Sequence, residues 1–174
     1  MAYSRHIVPY QSAWPERFAE LAGYLGRFLP EGSRVHHIGS TSIPGMPAKD
    51  IVDVHVEHQS GGLESVTAAL EQAGYRHHGD QGIPGREVFK PEAAAAVAAL
   101  PRHHLYASEA GAEELRRHLA FRDYLRAHPD RADWLAEQKL RADGASGSKD
   151  EYIERKADAY ATIAREARGV EKPR

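Results

Sequence analysis

An α/β fold of the α+β kind, with a small mixed β-sheet, an N-terminal helix and a C-terminal helical segment, is predicted by three observations. Short strand-like runs bounded by Gly and Pro turns fill the first two-thirds of the chain, apolar residues recur at helical spacing at both ends, and one helical pattern crosses between strands. At 174 residues the chain is long enough for one good core and short for two, so residues 1–174 are read as a single domain. Its core spans about 1–110 and its C-terminal helices about 111–168.

The first helix opens at Trp14-Pro15-Glu16-Arg17, where Pro suits the first turn, and Phe18, Leu21, Ala22, Leu25 and Phe28 form its apolar stripe. Strands are predicted near Arg34–Gly39, Asp50–Glu57, Tyr75–His78, Arg86–Lys90 and His103–Ala107, with a helix from about Leu63 to Ala73 between the second and third. That alternation suggests helices on one side of the sheet. From Ala112 onward the period is helical, giving about Ala112–His128, Arg131–Asp143 and Lys149–Arg168. The breaks are His128-Pro129 and Gly144-Ala145-Ser146-Gly147-Ser148. The second break, followed by Lys149, superficially resembles a phosphate-binding P-loop, but it lacks the spacing and lies between helices, so it is read as a linker. The Ala93–Leu100 tract, closed by Pro101, is read as a hairpin tip or a helical turn or two.

Composition excludes several function classes. With 23 Lys and Arg against 25 Asp and Glu, nothing advertises a nucleic-acid backbone or an anionic membrane as partner. The absence of cysteine removes disulfides, thiolate catalysis and Cys-based zinc sites. Neither an apolar signal core nor a membrane span is visible, so a cytoplasmic address is expected.

The chemistry concentrates between His37 and Val56. Ile38-Gly39-Ser40-Thr41 reads as a strand ending in a Gly-Ser turn, where the backbone can approach an anion and offer N–H and hydroxyl donors. Asp53, on the next strand, can hold a divalent cation beside that anion. Together these are parts of a site for a metal-bound nucleoside triphosphate. Strand alternation puts Asp53 and His55 on one face, and turns Asp50 to the other only where the strand is regular, so the sequence leaves the facing of Asp50 open. Lys49 is placed to neutralise phosphate, although a surface role is the commoner fate of such a lysine.

Ile38-Gly39-Ser40, a gap of twelve residues, then Asp53-Val54-His55-Val56 resembles the nucleotidyltransferase superfamily pattern of apolar-Gly-Gly/Ser, a gap, and Asp-apolar-Asp/Glu-apolar. The chain is more closely similar to the GrpB family, which has that fold. The resemblance runs through Val8-Pro9-Tyr10, Trp14-Pro15-Glu16-Arg17-Phe18, the His37–Val56 block, His104-Leu105-Tyr106, Phe121-Arg122-Asp123-Tyr124-Leu125-Arg126-Ala127-His128-Pro129, and Tyr152 with Lys156. It implies a sheet of nucleotidyltransferase type, with Gly39, Ser40 and Thr41 cradling phosphates and Asp53, His55 and His104 as the catalytic set. Lys49, Arg122 and Lys156 would add positive charge.

The same resemblance implies a divalent metal at Asp53. Magnesium or manganese would suit nucleotide transfer, while His37, His55 and His104 could instead favour zinc, manganese or nickel, because imidazole suits those ions. Where the superfamily has a second carboxylate this chain has His55, and a third is replaced by His104 or Tyr106. A Lys-Pro expected before the second strand reads Lys49-Asp50. Competing structural readings give Asp53 a salt bridge to an inward Lys or Arg, and make at least half of the eleven histidines solvated or structural. Intramolecular salt bridges and caps explain Arg122 and Lys156 equally well. The functional expectation is a nucleotidyltransferase-like protein transferring a nucleotidyl or phosphoryl group to an acceptor that the sequence does not name. The alternative is a catalytically silent partner module, since the family's domain is joined to dephospho-CoA kinase in some proteins, which suggests a protein partner in coenzyme A metabolism.

Overall fold

The computed structural model of the chain describes residues 7–92 and 96–170. Five strands, β1 (Arg34–Ile38), β2 (Val52–His58), β3 (Tyr75–His77), β4 (Glu87–Pro91) and β5 (His103–Glu109), form one sheet in the order β1-β2-β5-β4-β3. The β2–β5 pair is parallel and the other three pairings are antiparallel, as expected of a mixed sheet. Register decides the site: Asp53 stands opposite Ile38 on one side and His104 on the other.

Helix α1 (Trp14–Gly26) carries Pro15 in its first turn and buries Trp14, Leu21 and Leu25, while Phe18 and Phe28 pack partly against the same core. Alternation along β2 sends Val52, Val54 and Val56 into that core, where they meet α1 and Val66 and Leu70 of α2 (Leu63–Gln72). Asp50, just before β2, points the same way: it accepts hydrogen bonds from Trp14 Nε1 at 2.8 Å and Arg17 Nη1 at 2.5 Å. These contacts, the indole hydrogen bond first, hold its carboxyl below the usual range.

Helices α3 (Glu113–Ala127), α4 (Pro129–Ala145) and α5 (Lys149–Val170) pack together through Leu125, Leu135 and Ile163, with Ile43 and Met46 from the loop before β2. Helices therefore flank both faces of the sheet, contrary to the one-sided expectation. The face carrying His55 and Tyr106 is polar in sequence, yet His118 of α3 sits 5.8 Å from the His55 ring and Glu114 is buried beside it. Alternation reads such a face as solvated; here polar side chains carry the packing.

The predicted linker is shorter than expected. Helix α4 runs through Gly144 to Ala145, and Ser146 Oγ donates back to Ala142 O at 2.6 Å. Helix α5 then begins with a capping arrangement: Glu151 N–H donates to Ser148 Oγ, and the Glu151 carboxylate accepts from Gly147 N–H. A loop so engaged caps a helix rather than a phosphate. Of the Ala93–Leu100 tract, Ala96–Ala99 is a single 3₁₀ turn and residues 93–95 lie outside the described residues. Among the described residues no helix is long and apolar enough to cross a membrane.

Candidate functional site

Gly39 links β1 to a 3₁₀ turn over Ser40–Ser42 with φ +71° and ψ −174°, a region essentially confined to glycine. The turn closes through Ser42, whose Oγ donates to Gly39 O at 2.6 Å. Positive φ is half of the reason for glycine here. A Cβ at this position would lie 3.0 Å from the Cγ of Asp53, inside its carboxylate. The aspartate thus lies directly against the turn, which is the juxtaposition expected from Ile38-Gly39-Ser40 and Asp53.

A cavity of about 230 Å³ opens there, lined by Ser40, Thr41, Lys49, Asp53, His104, Lys139, Tyr152, Lys156 and Tyr160, with Ala48 and Ile51. Six of the sequence-derived candidates therefore meet: Ser40, Thr41, Lys49, Asp53, His104 and Lys156, with Gly39 beneath them. His104 Nδ1–H donates to Asp53 Oδ1 at 2.9 Å. Lys156 Nζ lies 4.9 Å from the ring centres of both Tyr152 and Tyr160, one α5 turn to either side. Burial first, then Lys49, lowers its pKa, with Asp53 opposing. Burial and nearby Lys149 likewise lower Lys49.

Lys139 and Tyr160 are site residues that the sequence pattern does not reveal. Only 2% exposed, Lys139 donates from Nζ to Ser40 Oγ at 2.8 Å and to Pro47 O, and Tyr160 hydroxyl completes the set 3.1 Å from Ser40 Oγ. Burial, reinforced by Lys156 and opposed by Asp53, pulls Lys139 down to about 7. For Lys139 a signal of burial exists: Ala132, Leu135, Lys139 and Ala142 fall at 3, 4 and 3 spacing along the buried stripe of α4, so a lysine occupies an apolar position.

Three candidates lie elsewhere. His37 pairs across with Val54, not Asp53, so it faces α1, where it stacks on Phe18 at 4.7 Å and shares a 2.9 Å hydrogen bond with Thr41 Oγ1. His55 shares Asp53's face but is wholly buried under α3, its Nε2 2.8 Å from Ser108 Oγ. Arg122 reaches the opposite side of the turn, donating to His37 O at 3.1 Å and to Asp123, while Arg126 donates to Ser42 O at 2.9 Å. The two arginines brace the backbone on either side of the turn rather than line the cavity.

Burial lowers His37 to about 4, with Arg126 assisting, and His55 to about 3, with His118 assisting. Above pH 6.5 both are neutral in either state and contribute no pH dependence. Below it the unfolded chain takes up protons that the folded protein refuses, so stability is expected to fall between pH 6.5 and about 4, by up to about 2.7 kcal/mol per pH unit for the pair. Urea unfolding at stepped pH tests this, and His55→Gln should flatten part of the slope; an unchanged slope would show that His55 is not held neutral.

The donor set does not fit a protein-held metal cage. Asp53 and His104 bond each other, and among the described residues no three His, Asp or Glu side chains converge as ligands. His55, where the sequence pattern led to the expectation of a second metal ligand, faces Ser108 and α3. Three lysines, Lys49, Lys139 and Lys156, line the cavity with Asp53 instead.

A mixed sheet with a Gly-Ser turn against a strand aspartate places the protein in the nucleotidyltransferase-like fold class. A solved structure of the Cid1 poly(U) polymerase with bound MgGTP shares this fold, with TM-score 0.53 and 11% identity over 78% of this chain and 45% of that one. The chain belongs to the GrpB family, whose model, described as GrpB protein, matches residues 5–166. The crystal structure of GrpB from Enterococcus faecalis superposes with TM-score 0.76 and 33% identity over 92% of this chain and 96% of that one. Protein YqkA of Bacillus subtilis (strain 168) is 38% identical over 173 residues, 97% of this chain and 48% of YqkA. A dephospho-CoA kinase of Mycolicibacterium paratuberculosis (strain ATCC BAA-968 / K-10) is 29% identical over 173 residues, 84% of this chain and 42% of the kinase. The chain spans about half the length of curated relatives such as YqkA.

Proposed function

We propose that the protein binds the phosphate chain of a nucleoside triphosphate in the cavity between the Ser40–Ser42 turn, Asp53 and α5. The observation that carries this reading is the convergence of Lys49, Lys139 and Lys156 on a Gly-Ser turn, an arrangement of donors and positive charge suited to a polyanion. At about 230 Å³ the cavity is smaller than the roughly 300 Å³ at which small-molecule pockets begin, so it takes the charged end of the ligand and leaves the base outside. Nucleotidyl or phosphoryl transfer is the chemistry in keeping with the fold. The residues that would serve it are Ser40 and the lysines as donors to phosphate, and His104, oriented by its hydrogen bond to Asp53, as the proton-transfer group at the cavity wall.

A second reading, a silent partner module, draws on the similarity to a dephospho-CoA kinase and on the single carboxylate of the site. Thermal unfolding with each of the four ribonucleoside triphosphates separates the two. A ligand that binds only the folded state stabilises it by about 2.7 kcal/mol at a hundredfold excess over Kd. At least one triphosphate is expected to raise the melting temperature of the wild type but not of Lys49→Glu, which reverses charge at the cavity. No shift with any nucleotide, together with binding to a purified coenzyme A pathway kinase, would favour the module.

A further inference from the structure

The cavity is unbalanced in charge. Lys49, Lys139 and Lys156 face one carboxylate, and Asp53 is already paired with His104. Among the described residues none of the three ammonium groups lies within ion-pair distance of a carboxylate. Lys139 is held by a hydroxyl and a carbonyl, and Lys156 by two aromatic rings. An ammonium has three donors, so Lys139 keeps one after those two contacts. Cations desolvated this far without a counter-ion are stabilised by an anion and repelled by a further cation.

Resting on the phosphate-chain reading, we propose that the ligand binds as a metal-free polyanion whose charge is neutralised by Lys49, Lys139 and Lys156, where nucleotidyltransferase sites use divalent cations. Asp53 then has a different part from the one its sequence position suggests. Lying against Gly39 and accepting from His104, it is a positioning residue that shapes the turn and offsets the lysines while no ligand is bound. Once the phosphate chain enters, its carboxylate opposes it.

The two assignments of Asp53 give opposite signs. Isothermal titration of the whole chain with inorganic tripolyphosphate, in EDTA and then in excess magnesium, reads them directly. Binding is expected in EDTA, to weaken when magnesium complexes the ligand, and to fall with ionic strength. Asp53→Asn, which keeps an acceptor for His104, should tighten it by about fivefold, the scale of one partly exposed charge contact. Lys156→Met should weaken it by about tenfold or more, as for loss of a charged donor. Binding that requires magnesium and disappears in Asp53→Asn would overturn the metal-free assignment and leave nucleotide binding standing. Absence of binding by both tripolyphosphate and ATP, with and without magnesium, would overturn both.

Discussion

Gly39→Ala is expected to destabilise the fold by about 2–4 kcal/mol and to abolish phosphate binding, because it combines a forbidden backbone conformation with a collision in a packed site. At φ +71° and ψ −174° alanine is strained whatever the space around it. Here there is no space either, since the new Cβ would meet the Asp53 carboxylate. Relief requires Asp53 to swing off the turn, breaking its 2.9 Å contact with His104, or the turn to retreat from β2. Either movement dismantles the cavity wall. Gly45→Ala is the control: φ is +78°, but nothing lies within 4 Å of the added Cβ, so only the conformational part remains, about 1–2 kcal/mol. Urea midpoints and tripolyphosphate titrations of the two variants check the argument. Equal destabilisation, with binding kept in Gly39→Ala, would show that the aspartate does not lean on the turn.

The residues that make this site differ in how openly the sequence declares them. The Gly-Ser turn and Asp53 are local: a spaced pattern, one strand apart, is enough to place them against each other, and the antiparallel β1–β2 register does so. His104 follows from strand order, and the parallel β2–β5 pairing delivers it beside Asp53. His37 is declared less openly. His37 and Ile38 turn to opposite faces, and which of the two meets Asp53 depends on register, which no single strand reveals. His55 obeys alternation but is lost to α3, because a polar face covered by a polar helix has no apolar signature. Lys139 lies 99 positions from Ser40 and meets it through packing of α4 against the loop before β2. Its place on the apolar stripe is a signal of burial, but its partner in that burial is not local.

Lys139→Met is expected to separate stability from binding, making the unliganded protein more stable at pH 6 while weakening tripolyphosphate binding by about a hundredfold, as for loss of a buried charged donor. Lys139 titrates near 10.5 in the unfolded chain and at about 7 in the fold. Below pH 7 both states carry the proton, and the folded protein bears the whole burden of a buried ammonium, roughly a few kcal/mol. Between pH 7 and 10.5 the unfolded chain holds the extra proton, so wild-type stability gains about 1.4 kcal/mol per pH unit from this group as pH rises. Methionine has no such dependence, yet it leaves Pro47 O without the Lys139 donor, at about 1–3 kcal/mol. The variant should therefore exceed the wild type at pH 6 and lose that advantage toward pH 10. Anion affinity moves the other way in the wild type, stronger below pH 7 where Lys139 is charged, and comparison with the variant cancels the ligand's own ionisation. Unfolding free energies at pH 6, 8 and 10 test the first half and titrations at pH 6 and 8.5 the second. A stability difference that does not change with pH would mean that Lys139 is not a suppressed ammonium, and undiminished binding in Lys139→Met would remove it from the phosphate site.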